Sequence, residues 1–132
     1  MKVPEIYHKK KILIVDDANS VRMLARAMLI DAGFKYVAQA KDGQDAIDFL
    51  NKRHVDLVIC DWNMPVMSGL ELFEKIQLDP ALNKAAFIML TSSSEHEKVS
   101  EAVSTGITNY ILKPFNADIL LKNAVKVLQK QE

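Results

Sequence analysis

Short apolar runs alternate with amphipathic segments along most of the chain. Five runs have the length and apolar content of buried strands: residues 12–15, 36–40, 55–60, 86–90 and 108–112. Apolar residues at helical spacing predict a helix after the Asp42-Gly43 turn and others over residues 20–32, 70–78, 95–104 and 117–128. Strands that are apolar throughout are typical of a parallel sheet covered by helices on both faces. The pattern therefore predicts an α/β fold with a five-stranded parallel sheet and five helices.

Residues with special backbone or capping properties mark the ends of the predicted helices. Asn19 or Ser20 can cap the first helix, Gly33 suits its end, and Asn116 can cap the last helix. No linker, repeat or low-complexity tract divides the chain. We expect one domain over residues 11–130, preceded by a short extension at residues 1–10 and followed by no output domain.

Composition and charge narrow the class of protein. Of 132 residues, 49% are hydrophobic and 26% are charged, which is ordinary for a globular domain. The 17 basic residues balance the 17 acidic ones, so no global field favours nucleic acid or an anionic membrane. The single cysteine, Cys60, excludes an internal disulfide and fits a reducing compartment. With no membrane-spanning stretch and no signal-peptide pattern, we expect a cytoplasmic protein.

Polar and charged residues lie at the ends of four of the predicted strands. Asp16 and Asp17 follow the first strand, Asp61 the third and Lys113 the fifth, while Thr91 ends the fourth. The carboxyl ends of parallel strands share one edge of the sheet, where open α/β folds bind their ligands. Three carboxylates suit Mg²⁺, and a lysine suits a phosphoryl group. Because aspartate also accepts phosphoryl groups, these residues predict a phosphate-handling domain.

Each of these residues has a simpler explanation when it is considered alone. An aspartate at a strand end is commonly a turn former, and Thr91 by itself would be a helix cap. A lysine before a proline is commonly an exposed loop residue. Their joint occurrence at four strand ends favours the phosphoryl-acceptor site.

The motifs around these residues resemble one family over residues 11–130. In chain order they are Ile14-Val15-Asp16-Asp17, Asp61-Trp62-Asn63-Met64-Pro65, Ser68-Gly69-Leu70-Glu71-Leu72, Thr91 and Tyr110-Ile111-Leu112-Lys113-Pro114-Phe115. They resemble the receiver domain of two-component response regulators, especially the chemotaxis regulators of the CheY type. The resemblance implies a flavodoxin-like three-layer sandwich with the strand order 2-1-3-4-5, an order that the residues themselves do not give.

The resemblance also implies how a metal and a phosphoryl group would be held. Asp61 would be the phosphoacceptor. Mg²⁺ would be bound directly by Asp17, by Asp61 and by the backbone carbonyl of Asn63, with Asp16 acting through water. Lys113 would contact the phosphoryl group.

The same resemblance implies a switch. Thr91 would contact the phosphoryl group, and the aromatic residue Tyr110 would move with it. The residues alone would favour a core-edge role for this tyrosine. The Lys113-Pro114 peptide bond would be cis.

A stand-alone regulator is the function that this resemblance implies. It would take a phosphoryl group from a histidine kinase and switch the binding of a flagellar motor switch protein or another signalling protein through residues 95–128. It would be a monomer that binds neither nucleic acid nor membrane. It would also be a signalling switch with self-catalysed phosphorylation and dephosphorylation, and would not turn over an external substrate. The alternative within the family is a phosphorelay shuttle that passes the group to a histidine phosphotransfer domain.

Other classes of protein fit less well. An aspartate-nucleophile phosphatase needs a general acid two residues after its nucleophile, and Asn63 cannot serve as one. A flavin or nucleotide module at this edge needs a glycine-rich phosphate loop after the first strand, and Asp17-Ala18-Asn19-Ser20 lacks glycine. A structural pseudo-receiver is disfavoured because every site position is filled.

Overall fold

The computed structural model describes residues 1–92 and 106–131. Within these residues, five parallel strands form one sheet in the order β2-β1-β3-β4-β5. The strands are β1 Lys11–Val15, β2 Tyr36–Ala40, β3 Leu57–Asp61, β4 Ala86–Thr91 and β5 Tyr110–Leu112. The predicted parallel sheet and its strand order are confirmed.

Four α-helices lie in the described part of the chain. They are α1 Asn19–Asp31, α2 Gly43–Lys52, α3 Gly69–Leu78 and α4 Ala117–Gln129. Asp42 caps α2, Ser68 forms a capping box with Glu71 at α3, and Asn116 caps α4 as predicted. Five helices were predicted, and the one expected over residues 95–104 lies outside the described residues.

The start of α1 differs from the prediction. Its N-cap residue is Ala18, which offers no side-chain hydrogen bond. The Asn19 side chain instead accepts a hydrogen bond from Arg22 at 3.0 Å. The prediction that Asn19 or Ser20 caps this helix is therefore wrong. The carboxylate of Asp16 provides the local acceptor, because its Oδ1 binds the N–H of Ala18 at 2.8 Å.

An apolar core covers each face of the sheet. Successive strand residues point to opposite faces, so Ile12 and Ile14 belong to one core cluster and Leu13 and Val15 to the other. The first cluster includes buried residues of α1 and α4, and the second includes buried residues of α2 and α3. Each fully buried aliphatic side chain contributes about 1.5–3 kcal/mol. The sheet is therefore a rigid support for the residues at its carboxyl edge.

Residues 1–10, which we call the N-terminal segment, pack against the rest of the domain. Glu5–Tyr7 form a 3-10 helix, and Val3 and Tyr7 are buried in the cluster shared with α1 and α4. Backbone hydrogen bonds of 2.9 Å join Val3 N–H to the Ala32 carbonyl and the N–H of Lys35 to the carbonyl of His8. This segment is thus an integral part of the fold, which composition alone did not indicate.

None of the helices in residues 1–92 and 106–131 combines the length and the apolar content that crossing a membrane requires.

Candidate functional site

Two carboxylates are brought together by the pairing of β1 with β3. Val15 is in register with Cys60, so the residues that follow them, Asp16 and Asp61, lie side by side. Both are buried, with 0% and 6% of their surface exposed, while Asp17 is exposed to solvent. Carboxylate oxygens of the three aspartates all lie within 4.8 Å of one another. The parallel sheet thus places three acids in one small volume.

Lys113 is the cation that faces these acids. Its Nζ lies 2.8 Å from Asp61 Oδ1 and 3.2 Å from Asp16 Oδ2. It directly follows β5, and its N–H donates to the Thr91 carbonyl at 2.7 Å. The Lys113-Pro114 bond is cis, as expected.

The environment of Lys113 keeps its ammonium charged. Burial by itself would lower the pKa of this lysine, because it disfavours the charged form. The hydrogen bond and the negative charge of Asp61, together with those of Asp16, outweigh burial and raise the pKa above its ordinary value. The ammonium is therefore a fixed positive charge at neutral pH.

Within residues 1–92 and 106–131, Lys113 is the only side-chain cation that pairs with these acids, and one lysine does not balance three carboxylates. Two unit charges 4.8 Å apart repel by about 3 kcal/mol at an effective dielectric constant of about 20. A hard divalent cation with oxygen ligands would remove this repulsion, and Mg²⁺ commonly takes one or two carboxylates and fills its shell with water or phosphate oxygens. The donor set, with two buried acids and one exposed acid, fits such an ion.

Comparisons of this chain with known proteins all indicate one family. The sequence pattern of the response regulator receiver domain matches residues 12–125. The chain belongs to this family. It is 38% identical over 120 residues to the chemotaxis protein CheY-3 of Vibrio cholerae, covering 91% of this chain and 92% of that protein. It is 34% identical to the chemotaxis protein CheY of Pseudomonas aeruginosa, with 91% and 97% covered.

Solved structures agree with the sequence comparison. The chemotaxis response regulator CheY4 of Vibrio cholerae superposes with a TM-score of 0.83 at 36% identity, over 90% of this chain and 98% of that one. The similarity extends over almost the whole domain, so this chain has the fold of a receiver.

Thr91 and Tyr110 occupy adjacent strands of this receiver. Thr91 ends β4 and is buried, and its hydroxyl donates to the Ser92 carbonyl at 3.2 Å. Tyr110 begins β5 and is partly buried, and its hydroxyl donates to the carbonyl of Ile107 at 3.1 Å. Burial raises the pKa of the Tyr110 phenol, so it remains a neutral hydrogen-bond donor.

A close backbone contact holds the loop between β3 and α3 next to Asp61. The N–H of Gly69 donates to the carbonyl of Trp62 at 2.8 Å. A Cβ at position 69 would overlap the backbone carbonyl of Asp61, and that atom cannot move aside without displacing the site. Sequence reasoning gave Gly69 no role, although a glycine directly after a capping serine is a signal for such close approach. Asn63, in the same loop, is exposed.

Proposed function

We propose that this receiver accepts a phosphoryl group from a histidine kinase onto Asp61 and thereby switches the binding of a signalling partner in chemotaxis. The observation that carries the proposal is the position of Asp61, which is nearly buried, lies within 4.8 Å of two other acids and forms a 2.8 Å ion pair with Lys113. The relatives named above are chemotaxis proteins, which supports a regulator over a phosphorelay shuttle.

The transfer step follows from the groups around Asp61. A carboxylate oxygen of Asp61 attacks the phosphorus of a phosphohistidine, forming an O–P bond while the P–N bond breaks and its electron pair stays on the imidazole nitrogen. Lys113, already in contact with Asp61 Oδ1, offsets negative charge on the phosphoryl oxygens. Asp16 and Asp17, with Asp61 and the Asn63 carbonyl, would hold Mg²⁺. When bound, the ion supplies charge stabilisation for the transferring group.

The proposed switch involves the hydrogen bond from Thr91 to the Ser92 carbonyl. An O–H···O distance of 3.2 Å is longer than usual, so exchanging the Ser92 carbonyl for a phosphoryl oxygen favours a conformer with Thr91 drawn toward the site. Only this difference in free energy between conformers moves the equilibrium. Tyr110, on the neighbouring strand, would then move into the space that Thr91 leaves. The partner surface proposed at residues 95–128 includes β5 and α4 and a part outside the described residues.

Fluorescence of Trp62 tests the proposal, since this residue is the only tryptophan and directly follows Asp61. We would titrate the protein with Mg²⁺ and then add acetyl phosphate. The proposal predicts a saturable response to the metal and a second change that requires acetyl phosphate. Asp61→Asn should abolish the second change, whereas Asp48→Asn, an exposed aspartate on α2, should retain both. A second change that survives in Asp61→Asn would overturn the assignment of the phosphoacceptor.

A further inference from the structure

A concave region of the surface lies at the end of the sheet opposite to the acids. A cleft of about 630 Å³ opens beside the edge strand β2, near the amino ends of β1 and β2. Six of its lining residues are basic and none is acidic: Lys11, Arg26, Lys35, Lys52, Arg53 and His54. Over the whole chain lysines and arginines are equal in number to acidic residues, so this concentration of basic residues is a local feature. Its volume is in the range of small-ligand sites.

The lysines and arginines of this cleft are poorly neutralised. Among residues 1–92 and 106–131, no carboxylate lies within 4.0 Å of the side-chain nitrogens of its lysines and arginines. Asp56 lies 2.9 Å from His54 Nε2 and accepts the backbone N–H of Lys11 at 2.8 Å. Arg26 donates to the backbone carbonyl of Val37 at 3.2 Å, which fixes its guanidinium at the outer edge of β2. Like charges held around one cleft repel each other, and a polyanion would remove that repulsion. The lysines and arginines can also give it charge-assisted hydrogen bonds.

Two aromatic side chains share the same cleft. Tyr36 begins β2 with 49% of its surface exposed, and Phe49 lies half-buried on α2. Aromatic faces beside clustered cations suit a ligand that has both a planar ring and several negative charges, because bases stack on such side chains while phosphates bind the cations. A bare phosphate would use only the cations and would fill little of the volume.

We propose that this basal cleft (Lys11, Arg26, Lys35, Tyr36, Phe49, Lys52, Arg53 and His54) binds a nucleoside polyphosphate. The site is separate from the carboxyl edge, where two aspartates after β1 would repel a phosphate chain. Binding there does not depend on the phosphorylation of Asp61. The two sites bear opposite charge and lie at opposite ends of the same parallel strands.

Calorimetric titration of the full chain with ATP tests this proposal. A chelator in the buffer keeps metal away from the acidic site. We expect saturable binding that the double variant Lys35→Glu/Arg53→Glu weakens about tenfold or more. The matched variant Lys122→Glu/Lys126→Glu, which reverses two exposed lysines on α4, should bind as the parent does. Far-ultraviolet circular dichroism and thermal unfolding show that the variants are folded.

Further titrations test the nucleotide assignment and the independence of this site from Asp61. Tyr36→Ala should weaken ATP binding, and both adenosine and pyrophosphate should bind the parent more weakly than ATP. Asp61→Asn should bind ATP unchanged, which separates this inference from the proposed function. Pyrophosphate binding as tight as ATP would overturn the nucleotide assignment. Failure of ATP to saturate below millimolar concentrations, or binding of a polyglutamate peptide in its place, would overturn the proposal and point to an acidic protein partner.

Discussion

Replacing Lys113 with methionine removes the only cation that pairs with the buried acids within the described residues, while keeping an unbranched apolar stem. Its Nζ lies 2.8 Å from one carboxylate oxygen and 3.2 Å from another. At an effective dielectric constant of about 20, these attractions are about 6 and about 5 kcal/mol before desolvation is subtracted. Removal of one partner from a buried pair typically destabilises a protein by about 3–5 kcal/mol. Because 25% of the Lys113 side chain is exposed, we expect a smaller loss of about 2–3 kcal/mol.

Urea unfolding in a chelating buffer measures this loss, with Lys122→Met on α4 as the matched control. Mg²⁺ should stabilise Lys113→Met more than the parent, because the variant site is more negative and binds the ion more tightly. The raised pKa of Lys113 also determines how its contribution to the free energy of unfolding changes with pH. The folded pKa of Lys113 is raised, so its stabilisation is complete below the unfolded value of about 10.4 and is lost only as the pH rises through the folded value. A loss no greater than that of the control, or equal stabilisation of both proteins by Mg²⁺, would show that Lys113 does not offset the charge of the buried acids.

Further predictions concern packing and backbone. Gly69→Ala should destabilise the protein by about 1–3 kcal/mol and lower the rate of phosphorylation by acetyl phosphate, because its Cβ would overlap the Asp61 carbonyl; unchanged unfolding and kinetics would contradict this. Val66, a β-branched residue with φ of 69° and a fully exposed side chain, is strained, so Val66→Gly should raise the free energy of unfolding by up to about 1 kcal/mol. Tyr7→Ala should lower it by about 3–5 kcal/mol if the N-terminal segment belongs to the core, and by almost nothing if it does not. Burial, with the charges of Asp61 and Asp16, raises the pKa of Cys60, so thiol reagents at mildly alkaline pH should label it only on unfolding; labelling of the native protein would contradict this.

The pattern of the sequence predicts the sheet and its charged edge well, for a simple reason. Apolar runs such as 12–15 and 86–90 are long enough to identify, and parallel strands gather their carboxyl ends without further information. Asp16, Asp61 and Lys113 are therefore brought together by topology alone. The 2-1-3-4-5 order required the family resemblance, because many strand orders satisfy the same pattern.

Features that depend on tertiary contacts cannot be predicted from the pattern of apolar and polar residues. Leu24 fits the helical spacing of the apolar residues in α1, as a core residue would. Its side chain is nevertheless 54% exposed, because Ala25 and Leu29 are the residues of α1 that face the sheet. Tyr7 is buried in a core cluster that also contains residues of α1 and α4, and no local pattern in residues 1–10 indicates this burial. The sequence alone therefore suggests that these residues are an extension. The basal cleft likewise joins lysines and arginines from separate elements, and only the folded chain places them around one volume.

Direct identification of the phosphorylated residue decides whether Asp61 is the phosphoacceptor. The protein would be incubated with Mg²⁺ and acetyl phosphate, reduced with borohydride to convert an aspartyl phosphate into a stable product, and digested for mass spectrometry. We expect the reduced product at Asp61 alone, and no product when Mg²⁺ is chelated or in Asp61→Asn. Modification at Asp16 or Asp17 in its place, or no modification from either acetyl phosphate or a phosphorylated histidine kinase, would contradict this expectation.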